Sequence, residues 1–141
     1  IEPADRAEWL RMRLALWPDQ TPEELSAEID ELARTGEKLA VFVAARPEGG
    51  LGGFVEASLR PYAEGCTTRP VGYLEGWYVD PDVRRQGVGA ALVRAAEQWA
   101  REQGCREMGS DTWLDNLTGW HAHRALGYRE VERLITFIKP L

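Results

Sequence analysis

The 141 residues suit a single domain spanning 1–141, and a chain of this length buries roughly two-thirds of its unfolded surface on folding. Hydrophobic residues at 44% and charged residues at 28% fit a globular chain and exclude a disordered one. The formal net charge of -6 argues against nucleic acid as the main partner, and is compatible either with a cationic substrate or with solubility alone.

Asp5 is expected to cap a first helix, with Glu8 completing a capping box, and Trp9, Leu10, Met12, Arg13, Leu16 and Trp17 then follow a helical rhythm that Pro18 ends. Thr21-Pro22-Glu23-Glu24 reads as a second helix start, Leu25, Ile29, Leu32 and Ala33 as its apolar stripe and Gly36 as its stop. Leu39 to Arg46 is a buried strand, 47–52 a turn, Gly53 to Arg60 the returning strand and 61–71 a loop. A third strand, Gly72 to Val79, closes at Asp80-Pro81. Gly87 to Gln103 is a long helix ended by Gly104, Arg106 to Ser110 a short strand, and Asn116 to Leu126 a helix stopped by Gly127. Tyr128 to Val131 and Arg133 to Ile138 read as final strands, and Ile1-Glu2-Pro3 as the stump of a first one. Late interleaving of strands and helices predicts an α/β (α+β) fold, with a mixed, mostly antiparallel sheet and helices on both faces.

The longest apolar stretch, Leu39 to Ala45, is far too short to cross a bilayer, so no membrane partner is expected. Cys66 and Cys105 lack a CxxC or a His cluster. They make no zinc site, so no metal is expected, and they suit a reduced, cytoplasmic setting.

Arg84-Arg85-Gln86-Gly87-Val88-Gly89 lies between a strand and a helix. Glycines let the backbone approach a ligand, and the N–H groups of the helix's first turn favour phosphate. Arg84 and Arg85 add positive charge at that mouth. A dinucleotide fingerprint would need a third Gly where Leu92 stands, and no Gly-Lys-Ser/Thr triplet supports a P-loop.

The run Val79 to Leu92 resembles the signature of the GNAT superfamily of N-acetyltransferases, Gln/Arg-x-x-Gly-x-Gly/Ala, met by Arg84, Gly87 and Gly89. The order of elements fits as well, as do Asn116 and Ala125-Leu126-Gly127-Tyr128. This resemblance implies acetyl-CoA as cosubstrate, its pyrophosphate on the loop amides and its pantetheine arm on the preceding strand. Leu16-Trp17-Pro18-Asp19, Phe54 to Arg60, Leu74-Glu75-Gly76, Ser110-Asp111 and Leu114-Asp115-Asn116 further resemble one group of aminoglycoside 6′-N-acetyltransferases. That narrower resemblance implies acetylation of an aminoglycoside, with resistance by inactivation. It places substrate contacts at Trp17, Tyr62, Glu75, Asp111 and Glu132, and acetyl-CoA contacts at Trp77, Tyr78, Val79, Arg85, Gln86, Gly87, Val88, Gly89, Ala90 and Asn116. It also implies a homodimer. Gln20 stands where relatives can carry a substrate-touching His.

Glu75, inside an apolar strand, is either salt-bridged to an internal cation or a cleft residue that meets a substrate ammonium, with Gly76 letting a ligand come close. Asp111 follows the short strand, where α/β sheets commonly place ligands. Asp115 reads as a helix cap, Glu132 equally as a site residue or a solvated charge, and Trp17 and Tyr62 as core aromatics or as faces for a sugar or cation. Glu75, Asp111 and Glu132 together would form a polyanionic cleft. In the expected reaction an amine attacks the thioester directly. Glu75 is the candidate base, directly or through water, and a backbone N–H of Trp77 to Val79 the oxyanion donor. His123 stands where many GNAT enzymes place a Tyr acid, and could equally be structural. Two other functions stay open: a GNAT enzyme for a polyamine or protein N-terminus, and a non-catalytic acyl-CoA-binding module.

Overall fold

A computed structural model describes residues 1–35 and 39–141 of the protein; the expected stop at Gly36 and the side chain of Ala33 lie outside what is described. A short 3-10 turn, Pro3–Asp5, leads into α1 (Arg6–Leu16). The capping box forms one turn earlier than expected. Asp5 is already helical and accepts from the Glu2 N–H at 2.8 Å. Pro3, with its fixed φ, starts the helical path before Asp5 can cap it. Glu8 is thereby released to pair with Arg11. The second helix, α2 (Pro22–Thr35), begins as its sequence requires: Thr21 Oγ1 accepts from Glu24 N at 3.2 Å and Glu24 Oε2 accepts from Thr21 N at 2.8 Å.

Strands β1 (Leu39–Ala45), β2 (Leu51–Arg60), β3 (Val71–Val79) and β4 (Met108–Ser110) form one sheet in the order β1-β2-β3-β4. The first two pairings are antiparallel and β3–β4 is parallel, so the sheet is mixed as expected. Alternation along β2, with a slip against β1 at Gly52, splits the core in two. Val55 and Ala57 meet Leu74 and the apolar stripe of α3 (Val88–Glu102), namely Leu92, Val93 and Ala96. Leu51 and Phe54 meet Trp9, Met12 and Ile29 from α1 and α2 on the other face. The helix α4 (Leu117–Ala125) follows β4, and its cap is Asn116, whose side chain accepts from Gly119 N at 2.9 Å, rather than Asp115.

The pairing slips once between β2 and β3. Glu56 faces Gly76 but Ala57 faces Leu74, which leaves Glu75 as an extra residue on β3. Such a bulge flips the alternation of the strand beyond it. Leu74 and Trp77, three apart, both reach the α3 side, while Tyr78 joins the α1 side.

The two final strands are not formed. Residues 128–141 pair with no strand among the described residues, and Ile135, Phe137 and Ile138 are 79%, 92% and 96% exposed. A strand needs a neighbour to satisfy its N–H and C=O groups, and this arm finds none within its own described chain.

The turn after β3 is held by charge. Asp80, almost fully buried, accepts both Nη groups of Arg11 at 3.0 and 2.9 Å and Nη2 of Arg46 at 2.9 Å. Arg46 also binds Asp82 with two hydrogen bonds, at 2.7 and 2.9 Å. Hydrogen bonds from Arg11, then from Arg46, hold the Asp80 carboxyl below its usual range. Its contribution to stability is therefore complete above the ordinary Asp value and is lost as pH falls through the lowered one. Asp80→Asn should cost about 2–4 kcal/mol at neutral pH, because it strips two partly buried guanidinium groups of their shared anion. Urea denaturation should show this deficit at neutral pH and show it shrinking as pH falls through the lowered Asp80 value.

Candidate active site

The loop between β3 and α3 carries the first half of the site. Arg85 and Gly87 both take positive φ, +61° and +82°. The chain thus turns twice through the left-handed region before the helix begins at Val88. Gly87 is the helix cap and offers no side-chain acceptor, so the first-turn N–H groups remain available to an anion. Arg84, Arg85, Gln86 and Gly87 are exposed around them. Arg84 Nε donates to the Val79 carbonyl at 2.8 Å and Gln86 Nε2 to the Asp82 carbonyl at 3.2 Å, fixing the loop from both sides. Gly89 answers a different need: a Cβ there would lie 2.9 Å from the Trp77 ring, so the indole occupies the place where a ligand was expected to approach. A pyrophosphate fits this mouth, which joins an uncapped helix N-terminus to two exposed arginines.

The strand before the loop has an open edge. β4 pairs with β3 only along Gly72, Tyr73 and Leu74, whereas Trp77, Tyr78 and Val79 pair with β2 alone. The two parallel strands therefore part at the bulge and leave a fork. His123 lies near it, edge-on to Trp77 with ring centroids 5.5 Å apart. Its Nδ1 lies 2.7 Å from the Gly119 carbonyl, which can only accept, so Nδ1 carries a proton. Its Nε2 is 2.8 Å from Ser110 Oγ, so His123 reaches the fork through that hydroxyl. Asn116 spends its oxygen on the α4 cap and its amide on Thr112 Oγ1 at 3.0 Å.

The other half of the site lies on the α1–α2 side of the sheet. A cavity of about 410 Å³ is lined by Arg13, Trp17, Glu28, Glu56, Ser58 and Glu75, among others. Glu75 accepts Arg60 Nε at 2.9 Å, Arg60 Nη2 at 2.5 Å and the Ser58 hydroxyl. The Arg60 guanidinium stacks 3.5 Å above the Tyr73 ring, and the Tyr73 hydroxyl donates to Asp111 at 2.9 Å. Glu75 on β3 and Asp111, just past the end of β4, are thereby joined through two side chains. Burial, with the Asp111 charge beside it, pushes the Tyr73 phenol up and keeps it a donor. Trp17 lies across Gly76, and the Arg13 guanidinium sits 4.8 Å over its ring. Gln20 donates to Glu28 at 3.3 Å. Tyr62 is exposed in the loop after β2, and Glu132 lies on the exposed arm, where neighbouring Val131 packs on Gly65.

Residues 6–128 match the family model described as the acetyltransferase (GNAT) family. The chain belongs to that family. This acetyltransferase is 50% identical over 143 residues to the aminoglycoside N(6')-acetyltransferase type 1 of Klebsiella aerogenes, covering 100% of this chain and 94% of that protein. It is 43% identical to the Stenotrophomonas maltophilia protein of the same name, covering 99% and 90%. Among solved structures it is similar to AAC(6')-Iy in complex with the bisubstrate analogue CoA-S-monomethyl-acetylneamine, with a TM-score of 0.92, 36% identity and coverage of 100% and 95%. It is also similar to the apo aminoglycoside antibiotic 6'-N-acetyltransferase AAC(6')-IG from Acinetobacter haemolyticus, with a TM-score of 0.93, 35% identity and coverage of 100% and 96%.

Sequence reasoning on this acetyltransferase missed Arg60 and Tyr73, which link the two carboxylates, and the buried pair Arg13 and Glu56. Two signals were available: a charge within an otherwise apolar strand, Glu56, and a charge four residues after Trp9 on the apolar face of α1, Arg13. Among the described residues no group of His, Cys, Asp and Glu is arranged to hold a metal, and no helix is long and apolar enough to cross a membrane.

Gly76 is needed by Trp17. A Cβ there would stand 2.7 Å from the indole Cη2 and 3.4 Å from Leu16. Gly76→Ala should therefore destabilise the fold by about 1–3 kcal/mol and, by displacing the cavity wall, raise KM for the amine acceptor more than KM for acetyl-CoA. Thermal denaturation and steady-state kinetics on the same preparation check both.

Proposed function

We propose that the chain, as one acetyltransferase domain spanning residues 1–141, transfers the acetyl group of acetyl-CoA to the 6′ amine of aminoglycosides and so inactivates them. One observation carries this reading: a cavity lined by Glu28, Glu56 and Glu75 and walled by Trp17 opens beside the unpaired edge of β3. Carboxylates suit a polycationic aminosugar, and an indole face suits its ring. The names of the relatives point the same way.

The loop from Arg84 to Ala90 holds the pyrophosphate, and the edge from Trp77 to Val79 aligns the pantetheine arm. Bound acetyl-CoA supplies the thioester. Arg60 and Ser58 fix the Glu75 carboxylate in direction, so that it orients the acceptor amine and takes the amine's proton through a water. Asp111, held by Tyr73, contributes a second anion across the fork. A β3 backbone N–H stabilises the charge that develops on the acetyl oxygen. His123 is the proton source for the leaving sulfur: its Nε2 passes a proton to the Ser110 hydroxyl as that hydroxyl gives its own to the thiolate. Trp17, Gln20 and Tyr62 complete the acceptor side, and Glu132 joins it from the arm. Asn116 borders the coenzyme side.

The protein acts as a homodimer, with the apolar arm after Tyr128 covered by a second chain and the outer edge of β4 available to pair with it. A cytoplasmic setting suits its two free cysteines.

Incubation with acetyl-CoA and kanamycin should release free thiol and give a product whose acetyl group NMR places on the 6′ nitrogen. An aminoglycoside with a 6′ hydroxyl should be poorly modified. Unmodified kanamycin, with acetylation of a polyamine or peptide instead, would overturn the reading. Sedimentation equilibrium should give about twice the 15.9 kDa chain mass, and a single-chain mass would contradict the dimer.

A further inference from the structure

Glu56 is 3% exposed and carries a carboxylate into the core beneath the acceptor cavity. It lies on β2 opposite Gly76, at the slip that creates the bulge. From α1, Trp9 Nε1 donates to its Oε1 at 2.8 Å and Arg13 Nε stands 3.5 Å from the same oxygen. From α2, Glu28 binds Arg13 Nη2 at 2.6 Å. From β3 the nearby charge is Glu75, and from β1 the residue opposite is the uncharged Val41.

Arg13 is the hinge of this group. It is 4% exposed, and its Nε and Nη1 have no hydrogen-bond partner. A buried cation left this way is costly unless an anion holds it. Glu56 supplies that anion from below, Glu28 from the cavity rim and the Trp17 face from the side. Trp9 in turn fixes Glu56. The chain Trp9–Glu56–Arg13 thus decides where Trp17 and Glu28 stand in the cavity.

We infer that Glu56 is a positioning residue for the acceptor: through Arg13 it sets Trp17 and Glu28, and its charge adds to the attraction for a cationic substrate. This rests on the reading of the acceptor as an aminoglycoside. Burial pushes the Glu56 carboxyl up to about 7, against the opposing effects of Arg13 and the Trp9 N–H. Its anion therefore forms as pH rises through neutrality, and acceptor affinity should gain this contribution there, while the stability that the protonated carboxyl lends to the fold is lost between the ordinary Glu value and about 7.

Glu56→Gln tests the inference, because the amide retains an acceptor for Trp9 while losing the charge. The ratio of variant to wild-type KM for kanamycin cancels the titration of the drug itself. That ratio should be about 10 at about pH 8 and fall toward 1 near about pH 6, where wild-type Glu56 is protonated, while the same ratio for acetyl-CoA moves much less. A kanamycin ratio independent of pH, or an equal rise in both KM values, overturns the inference. Arg13→Lys carries the same test if the first variant does not fold: it keeps the charge but loses the stacked fork, so KM for kanamycin should again rise more than KM for acetyl-CoA. An unshifted KM for kanamycin in Arg13→Lys overturns it too. Wild-type protein that leaves kanamycin unmodified overturns the aminoglycoside reading and this inference with it, whereas normal wild-type turnover with unshifted variants overturns this inference alone.

Discussion

The bulge at Glu75, pinned by Arg60, is the constraint on which the rest of the molecule depends. One extra residue on β3 reverses which side chains face which helix. It sends Trp77 toward α3, turns Tyr78 toward α1, and sets Gly76 under Trp17. The bulge also marks where β3 and β4 cease to pair, so the strand edge opens where its one carboxylate stands. An unpaired carboxylate here would be expensive. Arg60 and Ser58 engage both of its oxygens, and Arg60 in turn rests on Tyr73. A strand irregularity, an ion pair and a binding fork are thus one feature seen at three scales.

Charge organises the two ends of the site in opposite ways. At the coenzyme end, Arg11 and Arg46 are consumed by the buried Asp80, which stiffens the turn, while Arg84 and Arg85 remain exposed at the uncapped helix. On the α1–α2 side, Glu28, Glu56 and Glu75 line the cavity with Arg13, and Arg60 pairs with Glu75, so three carboxylates meet two guanidinium groups. The net charge of -6, which alone says only that the chain is acidic, acquires a location here. In the proposed reading, an anionic coenzyme and a cationic acceptor meet opposite ends of one short strand.

Much of this was legible in the sequence, and the boundary is physical. The glycine loop was readable because it is local: its glycines, arginines and helix start are contiguous, and the dinucleotide and P-loop alternatives fail on single residues. Helices and the first three strands fell within a few residues of their expected ends because alternation and capping are short-range signals. Asp5 misled because Pro3 had already begun the helix. The arm after Tyr128 misled because strand propensity does not say whether an edge is available to pair with. For Glu75 both sequence alternatives hold part of the truth, since the internal cation is Arg60 and the cleft is beside it. Arg60, Tyr73, Arg13 and Glu56 escaped because their hydrogen-bond and ion-pair partners lie 15 to 47 positions away, and only the bulge and the packing of α1 bring them together.

The central claim is that the fork at Glu75 is where coenzyme and acceptor meet. A crystal structure of the protein with coenzyme A and kanamycin tests it most directly. It should show the pantetheine arm hydrogen-bonded along the open edge of β3 between Glu75 and Val79, the pyrophosphate on the amides after Arg84, and the 6′ nitrogen within hydrogen-bond reach of Glu75, directly or through one water. Kanamycin bound away from the Glu75 carboxylate, or a pantetheine arm lying on any other strand edge, would contradict it.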